Sequence, residues 1–298
     1  KQEGIEPIIR FYKSEQFPGR LESTIFDKMR LYAERDIRWV EIGNEPNLDY
    51  EWKSDWRHRV SCNDADVIRV LAEGWVADAR AAIAAGAKPG FYAFGPTDWE
   101  SGRPHPIFSS VNFTRNTVKY LADHFRGETL DIFNRGGWIA VHCATYDRAI
   151  DFDPYGVNPP WDMALRGYEV PKRAFREFFG GSLNIDSIPI ISTEGGVFTQ
   201  DCKYLGETQK ARSGEDHAAA IVAMYRYIEH STPLQAMCPW CITTIGTHDE
   251  KFAGDGWILE RNGVRSGRPV TDAMRQLQFD NARRAEDNQP GRKRIKLN

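Results

Sequence analysis

The chain has 298 residues, of which 41% are hydrophobic and 27% charged, with a formal net charge of -3 and a pI of about 6.2. This length and composition suit one large α/β domain with a sizeable core and exclude a disordered chain. The balance of charge argues against a nucleic-acid or acidic-membrane partner, and no apolar run approaches the ~18 residues of a membrane-spanning helix.

Short apolar runs alternate with longer stretches of helical period along the chain. The predicted strands cover residues 7–12, 39–42, 90–95, 137–142, 188–192 and 234–242. The predicted helices cover residues 21–34, 65–85, 112–124, a short stretch before 134, 172–179, 214–230 and 270–284. Six strand-then-helix units imply parallel pairing, because each crossover returns the chain to the same end of the sheet. The strands are apolar throughout, which is typical of a parallel sheet buried on both faces. A doubly wound sheet and a barrel both satisfy this pattern.

The five cysteines do not suggest a disulfide framework, because their number is odd. Cys143, Cys238 and Cys241 fall in apolar runs and are predicted to be buried thiols. Cys62 and Cys202 fall in predicted loops, where one bridge could form in an oxidising compartment. No zinc-ligand spacing is present, and neither a metal nor a cofactor is predicted.

The residues that suggest chemistry stand where predicted strands end. The second strand runs into GNEPNL, which contains Glu45, and the fifth runs into TEGG, which contains Glu194. The C-terminal ends of parallel strands form the active face of α/β folds. Two carboxylates at that face suit glycosidic cleavage, in which one gives a proton to the leaving oxygen and the other attacks the anomeric carbon.

GNEPNL after WVEI resembles the acid/base motif of the clan A glycoside hydrolases, and STEGG resembles their nucleophile segment. The segments NEPNL and IEPIIRFY resemble those of members related to families five and thirty-nine. They do not assign the chain to either family. The resemblance spans about residues 5–285 and implies a (β/α)8 TIM barrel. It implies that Glu45 is the acid/base, that Glu194 is the nucleophile and that Asn44 binds the sugar 2-hydroxyl.

The same resemblance suggests further substrate-binding residues. His142, at the end of GWIAVH, matches the position on strand six where the clan often has a His near the acid/base. Trp240, in CPWC, matches the strand-eight Trp that floors the central sugar subsite. Tyr146 stands two residues beyond the clan's usual Tyr, and Arg10 stands on strand three rather than strand two. Trp99 falls in a loop on the active face and is a candidate wall of the subsite.

In this register the six predicted strands are strands three to eight, and strands one and two are missing. Three explanations stay open: the chain is truncated, its earlier residues escape recognition, or another chain completes the sheet. Residues 1–284 are predicted to form the catalytic barrel, incomplete at its N-terminus, and residues 285–298 a polar, basic tail.

The predicted function is a retaining glycoside hydrolase that cleaves β-glycosidic bonds of an oligo- or polysaccharide by double displacement, without a cofactor. The alternatives are a non-catalytic carbohydrate-binding or scaffold barrel and an inactive fragment. The expected partner is a carbohydrate substrate, with no nucleic acid and no membrane. The oligomeric state is left open, and a secreted or extracytoplasmic location is favoured over a cytoplasmic one.

Overall fold

Six parallel strands form the sheet of this chain in a computed structural model, which describes residues 6–11, 15–96, 107–145, 148–158, 160, 162–197, 214–239, 257–261 and 264–287. The strands are β1 (Ile8–Arg10), β2 (Trp39–Glu41), β3 (Lys88–Phe91), β4 (Trp138–Ala144), β5 (Ile190–Gly196) and β6 (Leu234–Met237). They are hydrogen-bonded in the order β1-β2-β3-β4-β5-β6, each parallel to its neighbours. A doubly wound sheet reverses its strand order at a switch point, whereas this order never reverses. The sheet is therefore a curled half-barrel, which decides between the two predicted architectures.

The helices follow the strands as the sequence pattern predicts. They are α1 (Ser23–Ala33), α2 (Ala65–Ala84), α3 (Ser110–His124), α4 (Arg126–Asn134), α5 (Glu169–Phe179), α6 (Gly214–Ser231) and α7 (Pro269–Asp287). An antiparallel hairpin of β7 (Ile258–Arg261) and β8 (Val264–Gly267) precedes α7, and the sequence pattern did not predict it. None of the described helices is both long and apolar enough to cross a membrane.

Local chemistry explains where the helices begin. The side chain of Asp64 accepts hydrogen bonds from the backbone N–H groups of Asp66 and Val67 and so caps α2. Ser109 accepts a bond from the N–H of Asn112 and caps α3 in the same way. Such caps satisfy backbone donors that have no partner inside the helix, and they contribute roughly 1 kcal/mol each.

The bounds of all six strands differ from the predicted ones, and two of the differences bear on the site. β3 begins earlier than predicted, since its first residues, Lys88 and Pro89, pair with Trp39 and Val40 of β2. β5 continues through Glu194 to Gly196, because these residues still pair with the end of β4. The predicted end of the sixth strand, at residues 240–242, lies outside the described residues.

The sheet is buried on both faces. The larger core lies between the sheet and the helices and contains Trp75, Phe91, Phe113 and Phe175. A smaller cluster on the inner face contains Ala93, Trp138, Ala140 and Ile191, with Ile8, Trp39 and Ala236 packed against it. Side chains two residues apart on a strand share a face. Arg10, Glu41 and His142, each two residues beyond a member of the inner cluster, therefore lie on that face at the C-terminal end of the half-barrel.

Candidate active site

Glu45 lies in the loop after β2 in a backbone conformation that residues other than glycine rarely adopt, with φ of +41°. Its N–H donates to the carbonyl of Ala93 (3.1 Å), and its own carbonyl accepts from the N–H of Leu48 (2.9 Å). Asn47, fully buried, donates to the carbonyl of Gly95 and accepts from its N–H. These bonds fix the loop after β2 to the end of β3 and maintain a conformation that would otherwise cost about 1–3 kcal/mol.

The Glu45 carboxylate has two different contacts. Its Oε1 lies 2.9 Å from Nδ1 of His142, and its Oε2 lies 3.3 Å from the hydroxyl of Tyr50. Gly95 leaves room for the carboxylate, because a Cβ at that position would lie 2.9 Å from Glu45 Cδ. Tyr50 is 54% exposed, so the Oε2 side of Glu45 faces the open mouth of the site.

A β-bulge in β5 places Glu194. Val141 of β4 pairs with Ser192, but His142 pairs with Glu194, so Thr193 is an extra residue on β5. Consequently both Thr193 and Glu194 reach the inner face: the Thr193 hydroxyl donates to Glu41 (3.0 Å), and Glu194 Oε1 accepts from Nη1 of Arg10. Sequence alternation alone would have put one of these two side chains on the opposite face.

Gly195 allows β5 to pass close to β4. Its φ is +142°, and a Cβ there would lie 1.7 Å from the carbonyl oxygen of Cys143. A side chain at this position is excluded by the neighbouring backbone, so the glycine after Glu194 is required by the strand packing.

His142 lies among three carboxylates and one guanidinium. Besides Glu45, its Nε2 lies 3.7 Å from Glu41 Oε1, 3.9 Å from Glu194 Oε1 and 3.2 Å from Arg10 Nη2. Burial by itself lowers the pKa of His142, but the charge of Glu194 and the bonds to Glu41 and Glu45 outweigh it and raise the pKa to about 10. Nδ1 of His142 donates to Glu45 Oε1, and the raised pKa reflects the position of the ring among three carboxylates.

Glu41 is a site residue that the sequence analysis missed. It is 2% exposed and accepts two hydrogen bonds from Arg10, from Nε (2.9 Å) and from Nη2 (3.1 Å). Burial would raise the pKa of Glu41, but the bonds and charges of His142 and Arg10 outweigh burial and hold it below its usual range. Strand alternation could have identified Glu41, because it stands two residues after Trp39 and is the charged residue on the inner face of an otherwise apolar strand.

Asn44 lies behind Glu45 and is held by a second buried carboxylate. Its Nδ2 donates to Glu51 Oε1 (2.9 Å), and Gln16 donates to both Glu51 Oε2 (3.1 Å) and the Asn44 carbonyl (2.9 Å). Burial raises the pKa of Glu51, although the bonds from Asn44 and Gln16 act against it. The Oδ1 atom of Asn44 is buried without a hydrogen-bond partner among the described residues.

Glu45, His142 and Glu194 are close enough to share an ion, since one ligand atom from each lies within 4.8 Å of the others. The Arg10 guanidinium contacts both Glu194 and Nε2 of His142. A metal ion would have to compete with this fixed positive charge for its ligands.

The structure thus brings Arg10, Asn44, Glu45, His142 and Glu194 together in one site. Trp240, Tyr146 and Trp99 lie outside the described residues, as does Cys202. Cys62 is buried and has a raised pKa because burial disfavours its thiolate, and the structure leaves its predicted bridge to Cys202 undecided. Trp52, a further Trp after β2, is fully buried and donates to the carbonyl of Pro46.

A half-barrel of parallel strands, each followed by a helix, defines a class of fold: the (β/α) barrel, here incomplete among the described residues. A family 39 glycoside hydrolase from the gut symbiont Bacteroides cellulosilyticus WH2 matches with a TM-score of 0.52, at 12% identity, over 93% of this chain and 51% of that chain. The resemblance indicated by the sequence motifs is therefore confirmed at the level of the fold. This chain spans about half the length of that enzyme.

Two other solved structures are similar over most of this chain. The β-glycosidase BGL167 matches at 14% identity over 99% of this chain and 76% of that chain, with a TM-score of 0.46. A β-glucosidase from Exiguobacterium marinum matches at 13% identity over 93% and 76%, with a TM-score of 0.45. No family model matches the sequence, and no curated protein matches it.

Proposed function

We propose that this chain is a retaining glycoside hydrolase that cleaves β-glycosidic bonds of an oligo- or polysaccharide, with Glu45 as acid/base and Glu194 as nucleophile. The observation that carries the proposal is the spacing of the two carboxylates, whose nearest ligand oxygens lie within 4.8 Å of each other. Direct attack on the anomeric carbon needs carboxyl groups about 5–5.5 Å apart. An inverting enzyme needs about 6.5–9.5 Å to hold a water molecule between sugar and base.

The surroundings of the two carboxylates support different roles. Glu194 accepts a bond from the guanidinium of Arg10, which orients the carboxylate as a nucleophile requires. Glu45 contacts an imidazole and a phenol instead. With Oε1 fixed by His142, Oε2 can carry a proton, since the hydroxyl oxygen of Tyr50 can accept a hydrogen bond as well as donate one.

The reaction then follows two steps. Glu194 attacks the anomeric carbon while Glu45 gives its proton to the leaving oxygen, and a covalent glycosyl-enzyme forms. Glu45, now ionised, takes a proton from water, which attacks the same carbon and releases the sugar with its original anomeric configuration. The N–H at Nδ1 of His142, 2.9 Å from Oε1, stabilises the ionised Glu45 between the steps.

The proposed register makes β1 to β6 the third to eighth strands of an eight-stranded barrel. Glu45 and Glu194 then follow strands four and seven, which is the order of the clan A resemblance. Asn44 would bind the sugar 2-hydroxyl, a role supported by its Oδ1, which has no partner among the described residues. Trp240, Tyr146 and Trp99 would line the sugar subsites.

The test is hydrolysis of a panel of aryl β-glycosides by wild type, Glu194→Ala and Glu45→Ala, each with and without azide. Azide should rescue Glu194→Ala to a glycosyl azide of inverted configuration and Glu45→Ala to one of retained configuration. Glu73→Ala, which removes a half-exposed carboxylate on α2, is the matched control and should behave as wild type. Full activity in Glu194→Ala would disprove the assignment.

The alternative function is a non-catalytic carbohydrate-binding or scaffold barrel. Calorimetry with the same glycosides separates the two functions. Sugar binding without turnover in wild type would favour the binding protein, and neither binding nor turnover would favour an inactive fragment.

A further inference from the structure

Glu41 is a deeply buried carboxylate at the centre of the site, and the two-step mechanism gives it no role. It ends β2, four residues before Glu45, and is 2% exposed. A buried carboxylate is costly unless charged or polar groups satisfy it. The groups that satisfy Glu41 therefore indicate what it does.

Each oxygen of Glu41 has a defined contact. Oε2 accepts from Arg10 Nε at 2.9 Å, and Oε1 accepts from Arg10 Nη2 at 3.1 Å and from the Thr193 hydroxyl at 3.0 Å. This two-point contact fixes the plane of the guanidinium and leaves Nη1 directed at Glu194. Oε1 also lies 3.7 Å from Nε2 of His142.

Arg10 and His142 are also in direct contact, because Arg10 Nη2 and His142 Nε2 are 3.2 Å apart. The groups facing His142 are Arg10 from β1, Glu41 from β2, Glu45 from the loop after β2 and Glu194 from β5. Glu45 and Glu194 both change their charge or bonding during the proposed reaction. Glu41 is the carboxylate in this group that stays unchanged through both steps.

We propose that Glu41 is a positioning residue that couples the two halves of the site, holding Arg10 against the nucleophile and facing the His142 ring that contacts the acid/base. This inference rests on the proposed function for its effect on turnover. The electrostatic effect of Glu41 on His142 is inferred from the contacts alone. The raised pKa of His142 and the lowered pKa of Glu41 agree with it.

The test is Glu41→Gln, which keeps the shape of the side chain and removes its charge. In this variant one guanidinium nitrogen of Arg10 faces an amide N–H instead of a carboxylate oxygen. Only one of the two hydrogen bonds can then form, so the plane of the guanidinium is no longer fixed. We expect kcat/KM to fall about 100-fold, the loss typical of a group displaced by about 1 Å. The loss should appear with both dinitrophenyl and simple phenyl glycosides, since attack by Glu194 is needed for every leaving group.

An NMR titration of the His142 imidazole gives a readout that a purely structural role would not move. The wild-type ring should titrate near pH 10. In Glu41→Gln its pKa should fall by about 1–3 units, the change produced by one opposite charge at this distance. Asp78→Asn is the matched control, because Asp78 is a 4% exposed carboxylate paired with Arg20 away from the site, and neither readout should change.

Each outcome decides the proposal. An unchanged kcat/KM or an unchanged His142 titration in Glu41→Gln overturns it, and a loss confined to phenyl glycosides overturns the link to Glu194. Equal losses in Glu41→Gln and Asp78→Asn would reduce Glu41 to a general stabiliser of the fold.

If Glu41→Gln does not fold, Glu41→Asp replaces it. This variant should keep the His142 titration and still lose turnover, and any other pattern counts against the proposal. If wild type cleaves no glycoside, the proposed function fails, and the titration still decides the coupling.

Discussion

Gly95→Ala tests whether the position of Glu45 depends on empty space beside its carboxylate. A Cβ at Gly95 would lie 2.9 Å from Glu45 Cδ, 3.0 Å from its Oε1 and 2.8 Å from Leu48 Cδ1. Gly95 is not among the residues with positive φ, so an alanine can adopt its backbone conformation. The substitution therefore acts through the side chain of Glu45 rather than through backbone strain.

The size of the effect follows from these distances. Ordinary carbon contacts begin at about 3.4–3.5 Å, so the carboxyl carbon must retreat by about 0.5 Å from its position at 2.9 Å. On the other side, His142 Nδ1 holds Oε1 at 2.9 Å and resists the shift. Since a displacement of about 1 Å costs roughly 100-fold, half of it should cost about 10-fold in kcat/KM, or about 1.4 kcal/mol of transition-state stabilisation.

The assay compares two leaving groups. Phenyl glycosides need proton donation by Glu45 and should lose about 10-fold, whereas dinitrophenyl glycosides leave without it and should react as in wild type. Gly127→Ala on α4 is the matched control, because a Cβ there meets nothing within 4 Å. Equal losses with both substrates, or no loss with phenyl glycosides, would show that Gly95 does not set the position of the acid.

Three further predictions concern charge and backbone. The raised pKa of His142 should make the free energy of unfolding fall as pH rises from about 6.5 toward 10, by at most about 1.4 kcal/mol per pH unit, and the lowered pKa of Glu41 should make it fall below pH 4.5. Arg10→Met should remove the cation that binds Glu41 at two points and destabilise the fold by about 3–5 kcal/mol in urea unfolding, with loss of turnover for all leaving groups. Gly195→Ala should destabilise by more than about 4 kcal/mol, because its Cβ would overlap the carbonyl of Cys143.

These predictions have internal controls. His142→Gln should remove the alkaline part of the pH dependence, and a slope that persists there would assign it to another group. Arg57→Lys alters a surface pair with Glu15 and should cost less than about 1 kcal/mol. Gly181→Ala, where φ is not positive and a Cβ meets nothing within 4 Å, should cost less than about 1 kcal/mol. A Gly195→Ala variant no less stable than Gly181→Ala would contradict the close approach of the strands.

The sequence by itself determined the order of the strands and helices and the position of the two carboxylates after strands, because both can be inferred from neighbouring residues. The period of the apolar residues predicts the six strands and the helices that follow them, and turn residues place Glu45 and Glu194 where strands end. The hairpin of β7 and β8 was missed, since its short strands have no apolar pattern of their own.

Only the tertiary structure decided how the site is assembled. Arg10 contacts Glu41 across 31 positions and Glu194 across 184, so no local window of sequence contains these pairs. The bulge at Thr193 depends on the pairing of β5 with β4, and it sets which side chains of β5 reach the inner face. The pair of carboxylates was therefore visible in the sequence, whereas the contacts of Glu41 with Arg10 and His142 became visible only when the strands were placed side by side.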